Sequence, residues 1–185
     1  MSLLDIHVLG SPVLRQETER VTAVTDELRR LVDDMFETMH AAKGIGLAAP
    51  QVGRTERLFV ADVDDVRVVM FNPEIVTADG GTAKAEEGCL SIPEIYGDVT
   101  RSARVTVEAL GRDGTPWRMD AEGLLAVCLQ HEIDHLHGKL FIDYLSLLKR
   151  RSALAKWEKM KAQFPDFTRR LSAKEAARHA NEETL

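Results

Sequence analysis

Gln130-His131-Glu132-Ile133-Asp134-His135-Leu136-His137-Gly138 is the stretch on which the reading of this 185-residue chain turns. It lies in a segment, about residues 121 to 137, whose Leu124, Val127, Cys128, His131 and His135 recur at three- and four-residue steps. That is the period of one helix face, and Gly138 supplies a stop. His131 and His135 sit one turn apart, so their imidazoles can converge on one ion. Glu132 lies about 100° round the helix from His131, given roughly 3.6 residues per turn. It flanks the ligand face, within reach of a water on the metal but outside the ligand set. A water-activating hydrolase needs this arrangement. Two histidines at this spacing also arise on solvated helix faces. The apolar run Leu124 to Leu129 beside them favours burial, and a buried imidazole needs a partner.

Outward from this helix, the bulk numbers describe an ordinary globular chain. Hydrophobic residues make up 44% and charged residues 29%, which suits one domain with a proper core. A net charge of −6 argues against wholesale nucleic-acid binding, DNA included. The first residues, Met1 to His7, lack a basic start and a long apolar run, and no segment approaches a membrane span. The expectation is a cytoplasmic protein without a membrane partner. Cys89 and Cys128 are then better suited to metal or core roles than to a disulfide.

Towards the N-terminus, Ile6 to Leu9 reads as a strand and Ser11-Pro12 as the opening of a helical turn. Thr25 reads as an N-cap, with Leu28, Leu31, Val32, Met35, Phe36 and Met39 at helical spacing to about Ala42. The stretch Gly44-Ile45-Gly46-Leu47-Ala48-Ala49-Pro50-Gln51-Val52-Gly53 has no phosphate-loop signature. It is either a plain glycine turn or a loop that lets another backbone approach and aims Gln51 at a site. Strand-like runs follow at 57–62, 66–72, 75–77 and 104–110, with a hairpin signal at Arg112-Asp113-Gly114 before Trp117-Arg118-Met119. Strands in the middle and helices at either end indicate α+β: antiparallel or mixed sheets packed around the central histidine-bearing helix.

Between the strands lies Glu86-Glu87-Gly88-Cys89-Leu90-Ser91-Ile92-Pro93. A lone Cys is usually a small buried hydrophobe. Here a glycine before it and a proline-bearing turn after it suit a residue that must point at something. Its thiolate would complete a three-ligand set with His131 and His135. Cys128, on the same helix face as His135, is the rival. Cys89 is preferred, because a ligand from another segment surrounds an ion better than three from one helix. The protease extension HExxHxxGxxH fails at Phe141, and Glu158, the one candidate downstream glutamate, lies among lysines like a solvated face.

Residues 145–164 read as an amphipathic helix with Leu147, Leu154, Trp157 and Phe164 on one side. From Ser146 to Gln163 six basic residues stand against one acidic. A solvated face is the plain explanation, although basic clustering can mark a docking surface. Residues 1–165 are expected to form a single catalytic domain that includes this helix. The remainder, 166–185, reads as a polar tail with Ser172 as N-cap of a weak helix to about Ala180.

The segments 44–51, 87–91 and 130–135, in this order, resemble the three motifs of peptide deformylases, and the resemblance covers about residues 3 to 150. It implies removal of the N-formyl group from formyl-methionine at the start of nascent proteins, releasing formate. It implies a metal held by Cys89, His131 and His135 with a water in the fourth position, typically Fe²⁺, with Zn²⁺, Ni²⁺ or Co²⁺ as substitutes. Glu132 would serve as general base and then acid as that water attacks the formyl carbon. Gln51 and the Leu90 N–H would assist the oxyanion. Ile45, Gly46 and Gly88 would bind the peptide as an added strand, and Ile45, Leu124, Val127 and Cys128 would take the methionine side chain. The resemblance also suggests a buried Asp134–Arg101 pair. One of the two histidines needs an acceptor on its second nitrogen, and the sequence does not single it out. In this light Arg150, Arg151, Lys156 and their neighbours become a candidate ribosome-docking face. A zinc endopeptidase would use the same His pair and Glu132. A non-catalytic metal protein would close its site with Cys128 or His137, but would need neither Glu132 nor Gln51.

Overall fold

The computed structural model describes residues 2–172 and 175. The elements among residues 2–172 follow one another as β1 (Ile6–His7), α1 (Asp26–Ala41), β2 (Gly46–Ala48), β3 (Leu58–Val63), β4 (Val66–Cys89), β5 (Ile92–Leu110), β6 (Pro116–Glu122), α2 (Gly123–Leu136), α3 (Leu147–Met160) and β7 (Thr168–Arg169), with short 3₁₀ turns between them. Strands β2 to β6 form one antiparallel sheet in sequence order, and β1 pairs antiparallel with β7. The architecture is α+β, as the pattern of runs indicates.

Strand β3 explains how the layers stack. Alternate side chains of a strand face opposite sides. Phe59, Ala61 and Val63 pack with Ala126, Leu129, Ile133 and Leu136 of α2. Leu58 and Val60 face the other way, against Leu28, Leu31, Val32, Met35, Phe36 and Met39 of α1. A strand covered on both faces reads as a continuous apolar run, which Leu58-Phe59-Val60-Ala61 is. Helix α1 starts where expected, with the Thr25 hydroxyl accepting from the Leu28 N–H at 3.3 Å. A third cluster joins Ile92, Ile95 and Val99 of β5 to Phe141, Leu145 and Trp157.

Three expectations are revised. The stretch 44–53 is not a plain turn: Gly46–Ala48 is a buried strand, followed by a 3₁₀ turn at Ala49–Val52. The separate runs 66–72 and 75–77 belong to one strand that continues to Cys89 through register shifts. Residues 74–84 are exposed, so no alternation of apolar and polar residues marks them. They are held by backbone pairing to β5. In α3 the expected apolar side divides: Trp157 is buried, but Leu147 is 80% exposed. The helix meets the core with its C-terminal half, through Trp157 and Met160. Strand β7 falls where the sequence reads only as polar, and most of the helix expected from Ser172 to Ala180 lies outside the described residues.

Candidate active site

The site forms where α2 crosses the sheet. The end of β4 delivers Cys89, the edge strand β2 and its 3₁₀ turn deliver Gly46 and Gln51, and α2 delivers both histidines and Glu132. Ligand atoms of Cys89, His131 and His135 all lie within 4.8 Å of one another, the one such group among the described residues. The Cys89 Sγ is 3.2 Å from His135 Nε2. His131 Nδ1 meets Glu87 Oε2 at 2.9 Å, which leaves its Nε2 for the cluster. These donors, one thiolate and two imidazoles, suit a tetrahedral ion that keeps one position open.

The acceptor that the sequence left unnamed is thus Glu87. Arg101 holds the Glu87 carboxylate in a two-pronged pair (Nη2–Oε2 2.9 Å) and reaches Asp134 through Nη1 at 2.8 Å. The expected Asp134–Arg101 pair is present, with Glu87 as its third member. Burial raises the Glu87 pKa, but hydrogen bonds from His131 and Arg101 outweigh it and hold the carboxyl below its ordinary value. A signal did exist in the sequence. Glu87 precedes Cys89 by two residues, so in a strand both project to one face.

Glu132 is buried and its Oε2 has no hydrogen-bond partner. Burial is the main cause that pushes its pKa up to about 7. Burial is also the largest influence on both histidines. It carries His135 well below the usual value, whereas hydrogen bonds to Cys89 and Glu87 override it and hold His131 well above. The Cys128 thiol is raised by burial and then by the charge of Glu132. It stays protonated and contacts the Ile45 carbonyl at 3.6 Å, outside the donor cluster. His137 is also outside, paired with Glu17 at 2.7 Å, and Glu158 pairs with Lys161 at 2.7 Å.

The Gln51 amide has a defined orientation. Its Oε1 accepts from the Ala48 N–H at 2.8 Å, so Nε2 faces Ser91 Oγ (3.1 Å) and Cys89 Sγ (3.4 Å). A cavity of about 550 Å³ opens over this group. All the expected substrate residues line it: Ile45, Gly46, Gly88, Leu124, Val127 and Cys128, with Gln51 and Leu90. Ile45 and Leu124 expose 44% and 49% of their surface, as walls of an apolar pocket do. The cavity also takes in residues the sequence did not suggest: Tyr96, Met160, Gln163, Phe164 and Arg169. Only the return of the chain after α3 brings the last three there.

Fold and donor set together define a class: an α+β protein with a Cys-His-His group, its histidines buried and its cysteine partly so, beside an unpaired glutamate, the equipment of a metal-dependent hydrolase. The polypeptide deformylase family model matches residues 3–151. A peptide deformylase of Alkalilimnicola ehrlichii is 52% identical over 167 residues, covering 88% of this chain and 93% of that protein. The crystal structure of a peptide deformylase from Legionella pneumophila superposes with a TM-score of 0.83 at 47% identity, over 88% of this chain and 97% of that one. One from Synechococcus elongatus, in complex with actinonin, gives 0.81 at 45% identity, over 84% and 88%. The chain belongs to the peptide deformylase family of enzymes.

Proposed function

We propose that this protein hydrolyses the N-formyl group from formyl-methionine at the start of nascent proteins in the cytoplasm, releasing formate. The observation that carries the reading is the buried, unpartnered Glu132 carboxyl beside the Cys89-His131-His135 group. Those three residues would hold a divalent ion, Fe²⁺ in our reading, with Zn²⁺, Ni²⁺ or Co²⁺ able to substitute. Such an ion supplies Lewis acidity and brings the pKa of a water towards about 7.

Glu132, with its pKa near neutrality, takes the proton of the attacking water and later gives it to the departing amine. The Gln51 Nε2–H and the Leu90 N–H donate to the formyl oxygen as charge builds there; one such donor is commonly worth roughly 3 kcal/mol. Strand β2 is an edge of the sheet, paired to β3 on one side only. Its free side lets the peptide add as a strand along Ile45 and Gly46, with Gly88 across the groove. The methionine side chain then enters the pocket of Ile45, Leu124, Val127 and Cys128. Glu87 and Arg101 fix the His131 ring so that Nε2 stays on the ligand side.

Formate release from formyl-Met-Ala-Ser by Fe²⁺-loaded protein tests this, beside Glu132→Gln. Rapid release by the parent and loss of about 100-fold or more in a variant that keeps its metal is the expected outcome, since a positioned acid–base group is worth roughly 10²–10⁴-fold. No release from folded, metal-replete parent would overturn it.

The basic face of α3 supports a partner as well. We infer contact with the ribosome, where formylated chains emerge. Arg151 and Lys159 are exposed and make no ion pair among the described residues, so both are available to phosphates, while Lys149 and Arg150 pair with Asp98 and Asp143. Reversing the charges of Arg150, Arg151 and Lys159 should weaken ribosome co-sedimentation and flatten its salt dependence. Unchanged binding would remove this partner.

A further inference from the structure

The chain after α3 does not leave the molecule. It turns through a 3₁₀ turn at Lys161–Gln163 and a second at Pro165–Phe167, where Asp166 and Phe167 both have positive φ. It then pairs with β1 in the register Ile6↔Arg169 and His7↔Thr168, with the Val8 N–H donating to the Phe167 carbonyl at 2.8 Å. Phe164 stacks on the buried Trp157 with ring centroids 5.6 Å apart. The return segment is therefore anchored at three points, and those anchors carry Gln163, Phe164 and Arg169 onto the wall of the cavity that Cys89, His131 and Glu132 also line. The described part of the chain joins one cavity from two distant stretches: the site proper and the return segment.

The cavity, at about 550 Å³, has the size that holds a drug-sized ligand, more than a formyl-methionine alone requires. A peptide whose formyl group lies at Glu132 must send its later residues somewhere. The Arg169 side chain is 23% exposed and, among the described residues, makes one ion pair, Nη2 to Glu175 Oε1 at 2.7 Å. A guanidinium offers five donors in a planar fork, so that pair leaves capacity for a second acceptor. Met160 and Phe164 supply apolar surface beside it. The Glu175 carboxylate already shows which chemistry the fork accepts.

We propose that Arg169 is a specificity-determining residue of this site, selecting peptides with an acidic side chain at the second or third residue. The proposal rests on the deformylase reading for the direction of the peptide. The fork takes the substrate carboxylate in exchange for, or beside, that of Glu175. Charge-assisted pairs of this kind are roughly twice as strong as neutral hydrogen bonds.

The test is binding without turnover. Metal-loaded, full-length Glu132→Gln protein is titrated calorimetrically with formyl-Met-Asp-Ser, formyl-Met-Ala-Asp and their Asn counterparts. At least one acidic peptide should bind about tenfold tighter than its Asn partner, the equivalent of roughly 1.4 kcal/mol. Adding Arg169→Gln should bring the ratio to within about twofold, and Arg169→Lys should recover part of it. Salt should weaken the acidic peptide more than the neutral one. Equal affinities at both positions, or a preference that survives Arg169→Gln in folded protein, would overturn the proposal. Formate release by the parent from the same peptides reports separately on the deformylase reading, so the two failures are distinguishable.

Discussion

A methyl group at position 46 would collide with Glu132 Oε1 and lie 2.9 Å from Cys128 Sγ. Few substitutions this small interfere so directly with a proposed catalytic group. Gly46 is needed here for close approach, not for a left-handed backbone, since it lies within β2 with its strand neighbours buried. Gly46→Ala must push Glu132 aside or shift β2, and either change separates the carboxyl from an added peptide strand. A misplacement of about 1 Å at reacting groups can cost on the order of 100-fold. Formate release should fall by about that factor in kcat/KM. Metal content, measured on the same sample, should hold, because the atoms nearest the new methyl belong to Glu132 and Cys128 and not to Cys89, His131 or His135.

At the scale of elements, the sequence was informative wherever burial imposes a period. Helices α1 and α2 and strand β3 show it, and the three donors could be read because helical spacing sets the two histidines and a glycine–proline context sets off Cys89. The outer arm of β4 was not legible, since residues exposed on both faces carry no alternation. The wall of Gln163, Phe164 and Arg169 was not legible either, because it depends on the pairing of β7 with β1 across almost the whole chain. Helix α3 shows the limit of helical spacing as a guide. Helical spacing puts Leu147 and Trp157 on one side, yet the core covers only Trp157. This separates two substitutions. Trp157→Ala removes a side chain 3% exposed and should cost about 3–5 kcal/mol, read as a fall in the denaturation midpoint at unchanged m-value. It should also loosen Phe164, its stacking partner on the cavity wall. Leu147→Ala, at 80% exposure, should stay within about 0.5 kcal/mol.

At the scale of the molecule, one carboxylate ties together segments far apart in sequence. Asp143, in the 3₁₀ turn Phe141–Tyr144, receives Arg15 Nη2 on Oδ1 at 3.1 Å and the Leu140 N–H on Oδ2 at 2.9 Å. Arg150 of α3 approaches Oδ1 at 3.3 Å. Arg15 also donates to the Gly138 carbonyl at 3.2 Å, just past the end of α2. The N-terminal segment, the exit from the histidine helix and α3 thus meet at a single side chain. Burial raises the Asp143 pKa, but the Arg15 hydrogen bond, the Leu140 N–H and the two arginine charges outweigh it, so the folded value lies below the ordinary 3.8. The sign follows from that direction. A carboxyl depressed in the folded state binds its proton more readily when unfolded. Its contribution to stability is therefore full above about pH 4 and is lost as pH falls through the depressed folded value. The side chain is 26% exposed, and screening by that solvent keeps the contribution to no more than about 1 kcal/mol. Asp143→Asn should lower stability at pH 7 and flatten the loss of stability as pH falls below about 4, measured by urea denaturation at each pH. A variant as steep in acid as the parent would remove Asp143 from the groups that set acid stability, and leave the junction to packing alone.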